Sequence, residues 1–363
     1  MTPIPTIQVP TAMQRTAPDD RAMSPRERGR WRAAQAVLLA IVGVIVALLF
    51  VRPPVGLTLL WDVLVPATPL VVLLAPGVWR NLCPLATVAL LPHRLGRSRR
   101  AHPRPGSQGG FALTGVAALL LILPLRHIAF NHSGVASGLL LLALATAAMV
   151  TGWLFANKSG WCAGFCPVHP VERLYGTAPV IQARNAHCAT CVGCAAPCPD
   201  SSPGPDPSRG NGQGWPRRWV GVAMIGGFPG FVFGWFMTPD MPWAIGWRQL
   251  NLVYGLPLLG ALISGTAFVG LRQVLPRRTR RLQRRCFAAG ALATYYGFRL
   301  PALLGWPQFA GDGVLLDVSA SLPDWTLIAL RVATVAAVCW LLVIRRSRPR
   351  PWLVRPPAEP QRP

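Results

Sequence analysis

The chain has 363 residues, of which 52% are apolar and only 13% charged, and its formal net charge is +24. This composition excludes an ordinary soluble domain and favours a membrane protein. Basic chains often bind nucleic acid, but here the arginines lie in short connections between apolar stretches, where they indicate membrane topology. We therefore expect membrane lipid as a partner, and no nucleic acid.

Apolar stretches long enough to cross a bilayer begin near residue 33 and recur along the chain. A membrane-spanning helix needs about 20 predominantly apolar residues. The stretches that meet this requirement are 33–51, 56–77, 111–130, 135–157, 219–237, 251–271, 286–306 and 325–344. The predicted fold class is therefore an all-α integral membrane protein with about eight transmembrane helices.

Basic residues are concentrated in every second connection between the predicted spans. The intervening connections carry few basic residues, of which Arg52 and Arg248 are the clear cases. Because Lys and Arg remain on the cytoplasmic side, we expect a multi-pass protein of the cytoplasmic (inner) membrane with both termini in the cytoplasm.

The spans and connections divide the chain into six predicted segments. Residues 201–218 are assigned as a linker because they are rich in Pro, Gly and Ser. The segments are a disordered basic N-terminus (1–32), a four-span membrane half (33–157), a cytoplasmic cysteine-rich loop (158–200), a flexible linker (201–218), a second four-span half (219–344) and a basic proline-rich tail (345–363).

The cysteine-rich loop contains the most specific motif of the sequence, C-x2-C-x2-C-x3-C-P. It is formed by Cys188, Cys191, Cys194 and Cys198, and it has the bacterial ferredoxin spacing of a [4Fe–4S] cluster. The two-residue gaps let successive thiolates reach three corners of one cubane. Zinc is the alternative, but zinc sites usually combine C-x2-C pairs separated by a longer loop. We therefore predict a small ferredoxin-like [4Fe–4S] loop on the cytoplasmic side.

The source of the fourth thiolate is open at this stage. In two-cluster ferredoxins the fourth cysteine of such a run ligates the other cluster, which makes Cys166, followed by proline, a candidate remote ligand. Alternatively, one cluster is held by all four residues of the run. Cys162, four residues before Cys166, is a further metal-ligand candidate, and Cys83 is a candidate because proline follows it as well.

The number of clusters is also open. One cluster is predicted, whereas two would need eight ligands and the cytoplasmic side offers seven cysteines. A second cluster would therefore need a ligand of another type or an open iron. The nearby candidates for that ligand are His169, His187 and Asp200.

No motif specifies a quinone or a haem. His127 and His132, at the outer end of the third span, are candidates for haem ligation or for accepting protons from a quinol, but the favoured interpretation is an interfacial pair beside Arg126. Charges inside spans are costly and often functional. Arg299, beside Tyr295 and Tyr296, is therefore a candidate contact for an anionic or quinone head group.

A weak internal repeat surrounds the cysteine–proline steps. The first unit reads W-R-N-L-C-P at 79–84, followed by R-L-G at 94–96. The second reads C-A-G-F-C-P at 162–167, followed by R-L-Y-G at 173–176. Each unit consists of two spans, a cysteine–proline step and a basic stretch that ends in glycine, which hints at duplication.

Together with the ferredoxin run, these units resemble the membrane polyferredoxin family over roughly residues 56–200. That family includes the quinol-linked iron–sulfur membrane proteins of the periplasmic nitrate reductase and nitrous-oxide reductase systems, and the iron–sulfur assembly factor associated with cytochrome oxidase. The family usually has two ferredoxin runs and this chain has one; Trp79 also stands where the first unit would have its leading cysteine.

The expected function is that of an electron-transfer subunit more than of a self-contained catalyst. A cysteine-ligated cubane exchanges one electron, so electrons would pass between a quinone or cytoplasmic donor and a membrane or periplasmic redox partner. The alternative is an assembly or maturation factor for a metalloenzyme.

Overall fold

The computed structural model describes residues 24–101, 103, 107–156, 158–166, 168–169, 172, 175–176, 179–183, 186, 215–309 and 312–345. Across these residues the fold is all-helical, and β-type pairing is confined to one bridge between Ala101 and Phe155. The longer helices are α1 (Pro25–Val51), α2 (Pro53–Leu74), α3 (Pro76–Leu82), α4 (Pro84–Arg94), α5 (Gly109–Phe130), α6 (Gly134–Leu154), α7 (Arg218–Phe236), α8 (Trp243–Val274), α9 (Arg280–Leu303) and α10 (Trp325–Ile344).

Seven of these helices are long and apolar enough to cross a membrane, namely α1, α2, α5, α6, α7, α8 and α10. They coincide with seven of the eight predicted spans, so the prediction of a multi-pass helical membrane protein is confirmed. Large apolar side chains remain exposed on these helices, for example Val37, Leu262 and Val332. Burial of such side chains in hydrocarbon is favourable, so these surfaces are suited to lipid contact.

The eighth predicted span, 286–306, falls on α9. This helix has 24 residues, but it is less apolar than the other seven because arginines occupy its first two turns and Arg299 lies near its end. It nevertheless packs between α7 and α10, and Tyr296 donates a hydrogen bond of 2.7 Å to the carbonyl oxygen of Pro66 in α2.

Helix α1 begins earlier than the sequence predicted. The side chain of Ser24 accepts a hydrogen bond of 3.2 Å from the backbone N–H of Glu27, and Pro25 occupies the first helical position. A serine cap, a proline at the first position and an acidic residue in the first turn all favour a helix start. Residues 25–32, expected to be disordered, are therefore helical.

Two short helices, α3 and α4, occupy the connection that the sequence assigned only as a basic loop. Each begins with proline, which is favourable at the first helical position, and Cys83 separates them. Helix α4 packs against α6 so closely that a Cβ added to Gly152 would overlap the carbonyl oxygen of Ala89. This packing holds Cys83 against the end of the bundle at which α2 and α6 finish, here named the cysteine end.

The main apolar core joins the two predicted four-span halves. It contains Val72 and Leu73 of α2 together with Met224 of α7, Phe268 of α8 and Leu292 of α9, all of them buried. The described helices of both halves thus share one core, because side chains of α2 and α5 are enclosed by α7, α8 and α9.

Candidate functional site

Cys83 is positioned by the turn between α3 and α4. The backbone at Cys83 has φ −43° and ψ 120°, so α3 ends there and α4 starts at Pro84. The side chain of Cys83 makes no capping hydrogen bond to α4.

Cys166 has the same local arrangement at the other cysteine–proline step. The chain leaves the π-helical turn Trp161–Phe165 at Cys166, whose backbone has φ −66° and ψ 114°. Two cysteines from separate units of the weak repeat thus end a helical segment with a similar backbone conformation.

The two cysteines belong to one site. The charge of Cys83 raises the pKa of the Cys166 thiol, and the charge of Glu172 raises the pKa of both thiols. Burial raises the pKa of the Cys83 thiol to about 11 and that of the Cys166 thiol to about 12. The thiols are therefore protonated at neutral pH unless a cation compensates for the buried charge.

A buried ion pair stabilises the surroundings of this cysteine site. Arg80 donates to Glu172 through Nε, and Nδ1 of His169 lies 3.7 Å from the same carboxylate. Burial opposes ionisation of Glu172, but Arg80 and His169 outweigh it and hold the pKa of the carboxyl at about 2. Arg80 precedes Cys83 by three residues and Glu172 follows Cys166 by six, so this pair fastens the two cysteine segments together.

Backbone contacts hold the described residues that precede the ferredoxin run against the ends of α2 and α3. The N–H groups of Val180 and Ile181 both donate to the carbonyl oxygen of Leu74, at 2.8 and 2.9 Å. The N–H of Ala186 donates to Oδ1 of Asn81 at 3.0 Å. The chain is thus held beside α3 two residues before Cys188.

The remaining predicted ligands are distributed as follows. Cys188, Cys191, Cys194 and Cys198, with His187 and Asp200, lie outside the described residues. Cys162 lies within the π-helical turn and packs with Cys166 against an apolar cluster of Ala89, Ala148 and Trp161. In the described part of the chain, no group of three or more His, Cys, Asp or Glu side chains is arranged to hold a metal ion. The described residues therefore supply a pair of thiols, not a complete site.

A second buried polar cluster lies at the opposite end of the bundle. His127 donates through Nδ1 to Oδ1 of Asp240 at 2.6 Å, and Asn131 donates to the other carboxylate oxygen at 2.8 Å. The guanidinium of Arg126 lies between aromatic rings, 4.1 Å from the centre of Trp61 and 5.0 Å from that of Trp235. Nε2 of His127 is buried and has no hydrogen-bond partner among the described residues.

Arg299, the candidate head-group contact, contacts protein groups of α2. It forms an ion pair with Asp62 of α2 and donates a hydrogen bond of 3.2 Å to the carbonyl oxygen of Trp61. His132 likewise contacts the backbone, with Nε2 at 3.2 Å from the carbonyl oxygen of His127. These contacts describe an internal network that links α2, α5, α9 and the segment after α7.

The sequence reasoning missed the acidic partners in both clusters. Asp62, Glu172 and Asp240 are three of only 12 acidic residues, and each pairs with a buried cationic or histidine side chain. The signal available in the sequence was the isolation of Asp62 within an apolar stretch, since a lone carboxylate in a span needs a partner. No family model, no curated protein and no solved structure matches the chain.

Proposed function

We propose that the chain is a membrane-bound [4Fe–4S] electron-transfer protein. The observation that carries this proposal is the ferredoxin run Cys188–Cys198, whose first cysteine follows by two residues a backbone contact with α3. The pair Cys83 and Cys166 beside that contact supports it, because both thiols lie close enough to Glu172 for its charge to act on them.

The cysteine side chains are suitable ligands for the [4Fe–4S] cluster that the run Cys188–Cys198 implies. Cysteine thiolates are the usual ligands of iron–sulfur clusters, and hydrogen bonds to sulfur together with burial adjust the reduction potential. When bound, such a cluster would accept and release one electron at a time. The apolar cluster around Trp161, against which Cys162 and Cys166 pack, would limit access of water.

The direction of electron flow follows from the resemblance to the membrane polyferredoxin family. We assign the donor as a quinone or a cytoplasmic reductant, and the acceptor as a redox partner in the membrane or on its periplasmic side. In this assignment the protein lies in the cytoplasmic membrane with the cysteine end facing the cytoplasm, as the distribution of arginine predicts.

The first test is the iron and acid-labile sulfide content of anaerobically purified protein, with EPR spectra before and after dithionite. We expect about four iron atoms for each cluster, since the cubane holds four, and a reduced [4Fe–4S] signal that Cys191→Ser abolishes. Cys286→Ser, at an exposed cysteine of α9, is the matched control and should leave the signal unchanged. Zinc in place of iron would refute the proposal.

Electron transfer is tested separately in native membranes. The reduced cluster should be reoxidised by an added quinone or by a periplasmic extract, and the rate should be followed by the loss of the EPR signal. If neither acceptor reoxidises the cluster, the electron-transfer role fails even though the cluster is present.

One observation favours the alternative, an assembly or maturation factor for a metalloenzyme. The chain has a single ferredoxin run, and Trp79 replaces the leading cysteine of the first repeat unit, so a relay of several clusters would lack ligands. Deletion of the gene should then leave a partner enzyme without its metal. A fully metallated, active partner in the deletion strain would exclude this role.

A further inference from the structure

A dense positive charge surrounds the turn between α8 and α9. Seven arginines lie between residues 272 and 285, and the sequence has no acidic residue between Asp240 and Asp312. Six of these arginines are here named the arginine surface: Arg272, Arg278, Arg280, Arg281, Arg284 and Arg285. Any neutralising charge must therefore come from a distant part of the chain or from another molecule.

Three members of the arginine surface have no carboxylate partner. Arg272, Arg278 and Arg280 form no ion pair with any described residue, and Nε of Arg280 is enclosed without a hydrogen-bond partner in that part of the chain. Arg281 and Arg285 lie one turn apart, and burial together with the charge of Arg281 lowers the pKa of the Arg285 guanidinium. Because like charges at this spacing destabilise a helix, a bound anion would stabilise the start of α9.

The start of α9 is held firmly by α8. Gln283 is buried and donates a hydrogen bond of 2.7 Å to the carbonyl oxygen of Phe268, and the ring centres of Phe268 and Phe287 are 5.0 Å apart. The arginines on either side of Gln283 are therefore carried by a fixed helix. Such preorganisation lowers the entropy cost of binding a ligand.

Exposed apolar side chains border the arginine surface. Val274 is 84% exposed at the end of α8, Leu282 is 49% exposed in the first turn of α9, and Trp340 is 53% exposed near the end of α10. The segment Trp340–Ile344 of α10 packs against α9. Contact with lipid hydrocarbon is favourable for such side chains, and tryptophan is typical of the level of the lipid head groups. Cationic and apolar groups thus adjoin at one place.

The arginine surface lies at the cysteine end of the bundle. Tyr296 contacts Pro66, and Arg299, three residues later, contacts Asp62, four residues earlier in α2. Helix α9 therefore runs antiparallel to α2. Because α2 finishes at the cysteine end, α9 begins there, at the level of one lipid leaflet.

We propose that the arginine surface binds the phosphate groups of anionic phospholipids, whose acyl chains cover Val274, Leu282 and Trp340. The charges favour an anion, and the apolar border favours a phosphate that carries acyl chains over free phosphate. One basic residue near an anionic membrane surface strengthens binding about fivefold. The three arginines without a described ion pair therefore favour an anionic over a zwitterionic lipid by a factor on the order of 100. This inference does not depend on the iron–sulfur cluster.

The test uses the full-length protein in neutral detergent, with phosphatidylglycerol and phosphatidylcholine as the added lipids. Native mass spectrometry counts the lipid molecules that are retained, and thermal unfolding measures stabilisation. We expect phosphatidylglycerol to be retained and to raise the unfolding temperature more than phosphatidylcholine does. Arg278→Gln/Arg280→Gln should weaken phosphatidylglycerol binding about 25-fold, which is fivefold for each arginine. Equal binding of the two lipids by the wild type would overturn the inference.

The matched control is Arg52→Gln/Arg248→Gln, which removes two exposed arginines from the connections predicted to lie on the other side of the membrane. It should bind phosphatidylglycerol as the wild type does. An equal loss of binding in the two double variants would show that only net charge matters, and would overturn the assignment to this surface.

Two further measurements keep the result decisive. If Arg278→Gln/Arg280→Gln is not monodisperse, the wild type is measured in rising NaCl, which should weaken phosphatidylglycerol binding by screening; binding that is insensitive to salt would count against the inference. Inorganic phosphate separates the two sources of the anion. Stabilisation by inorganic phosphate as large as that by phosphatidylglycerol would refute the role of the acyl chains.

Discussion

The ion pair between Asp62 and Arg299 is the longest-range charged contact in the described structure that lies within predicted spans. The two residues are 237 positions apart, and both side chains are largely buried. Arg299 also donates to the backbone of Trp61, and a Cβ on Gly313 would overlap the Asp62 carboxylate. The charges are thus enclosed by α2, α9 and the segment that follows α9.

Removal of either Asp62 or Arg299 should lower the free energy of unfolding, because the charge of the remaining partner stays buried. We expect Asp62→Asn to lower stability by about 3–5 kcal/mol, the usual cost of an uncompensated buried charge. The double variant Asp62→Asn/Arg299→Met should recover much of this loss. Thermal unfolding of detergent-purified protein measures both effects, with Asp317→Asn at an exposed carboxylate as control. If Asp62→Asn lowers the unfolding temperature no more than Asp317→Asn does, the ion pair is solvated.

At the residue scale, the sequence identified cysteines and buried arginines but not their partners. The spacing of Cys188–Cys198 predicts a metal site without reference to the fold, because four thiols at close intervals need only a local loop. The pairing of Cys83 with Cys166, and of Arg299 with Asp62, depends on which helix faces meet. The hydrophobic periodicity of one helix does not show which face of another helix it contacts.

At the scale of elements, α7 and α8 cross at glycines. A Cβ on Gly230 would overlap the carbonyl oxygen of Gly260, and one on Gly260 would overlap that of Gly230. Ser264 accepts from the N–H of Gly230 at 3.1 Å and donates to the carbonyl oxygen of Gly226 at 2.7 Å. Small residues and serine hydrogen bonds are the usual means of close helix contact in membranes.

Gly260→Ala should therefore separate α7 from α8. We expect a loss of about 1–3 kcal/mol, the usual cost of overpacking, measured as the shift in thermal unfolding relative to wild type. Gly270→Ala is the matched control on the same helix, since nothing lies within 4 Å of its added Cβ. Equal stability of the two variants would contradict the close crossing.

Seven of the spans were predictable because hydropathy and length decide them. The helices α3 and α4 were not, since 7 and 11 residues are too few to produce a span signal. Proline at residues 76 and 84 was the available sign, as proline is favoured at a helix start. Arginines at both ends of α9 account for its weaker apolar signal.

At the scale of the whole molecule, the placement of α9 determines on which side of the membrane the following segment lies. If α9 crosses the membrane, as its packing between α7 and α10 suggests, the segment after Leu303 lies on the side opposite the cysteine end. The sequence division into two four-span halves did not reveal that one core joins them, because hydropathy identifies spans without indicating which faces pack.

Topology can be measured by labelling intact cells with a membrane-impermeant maleimide. Ser321→Cys, exposed in the segment after α9, should be labelled from outside. Leu95→Cys, 60% exposed after α4, should be labelled only after the cells are opened. Mass spectrometry of the labelled peptides separates these sites from native cysteines. The reverse pattern would place the cysteine end outside and contradict the arginine-based orientation.

The separation of Asp62 from Arg299 has a consequence for biosynthesis. A ribosome adds about 5–20 residues per second, so the chain from Asp62 to Arg299, 237 positions later, takes on the order of 10–50 s to synthesise. During that time Asp62 enters the bilayer without its counter-charge, at a cost of a few kcal/mol. The nascent first half must therefore keep this carboxyl protonated, hydrated or within the insertion machinery until α9 arrives, and a chain truncated before α9 would retain a poorly inserted α2.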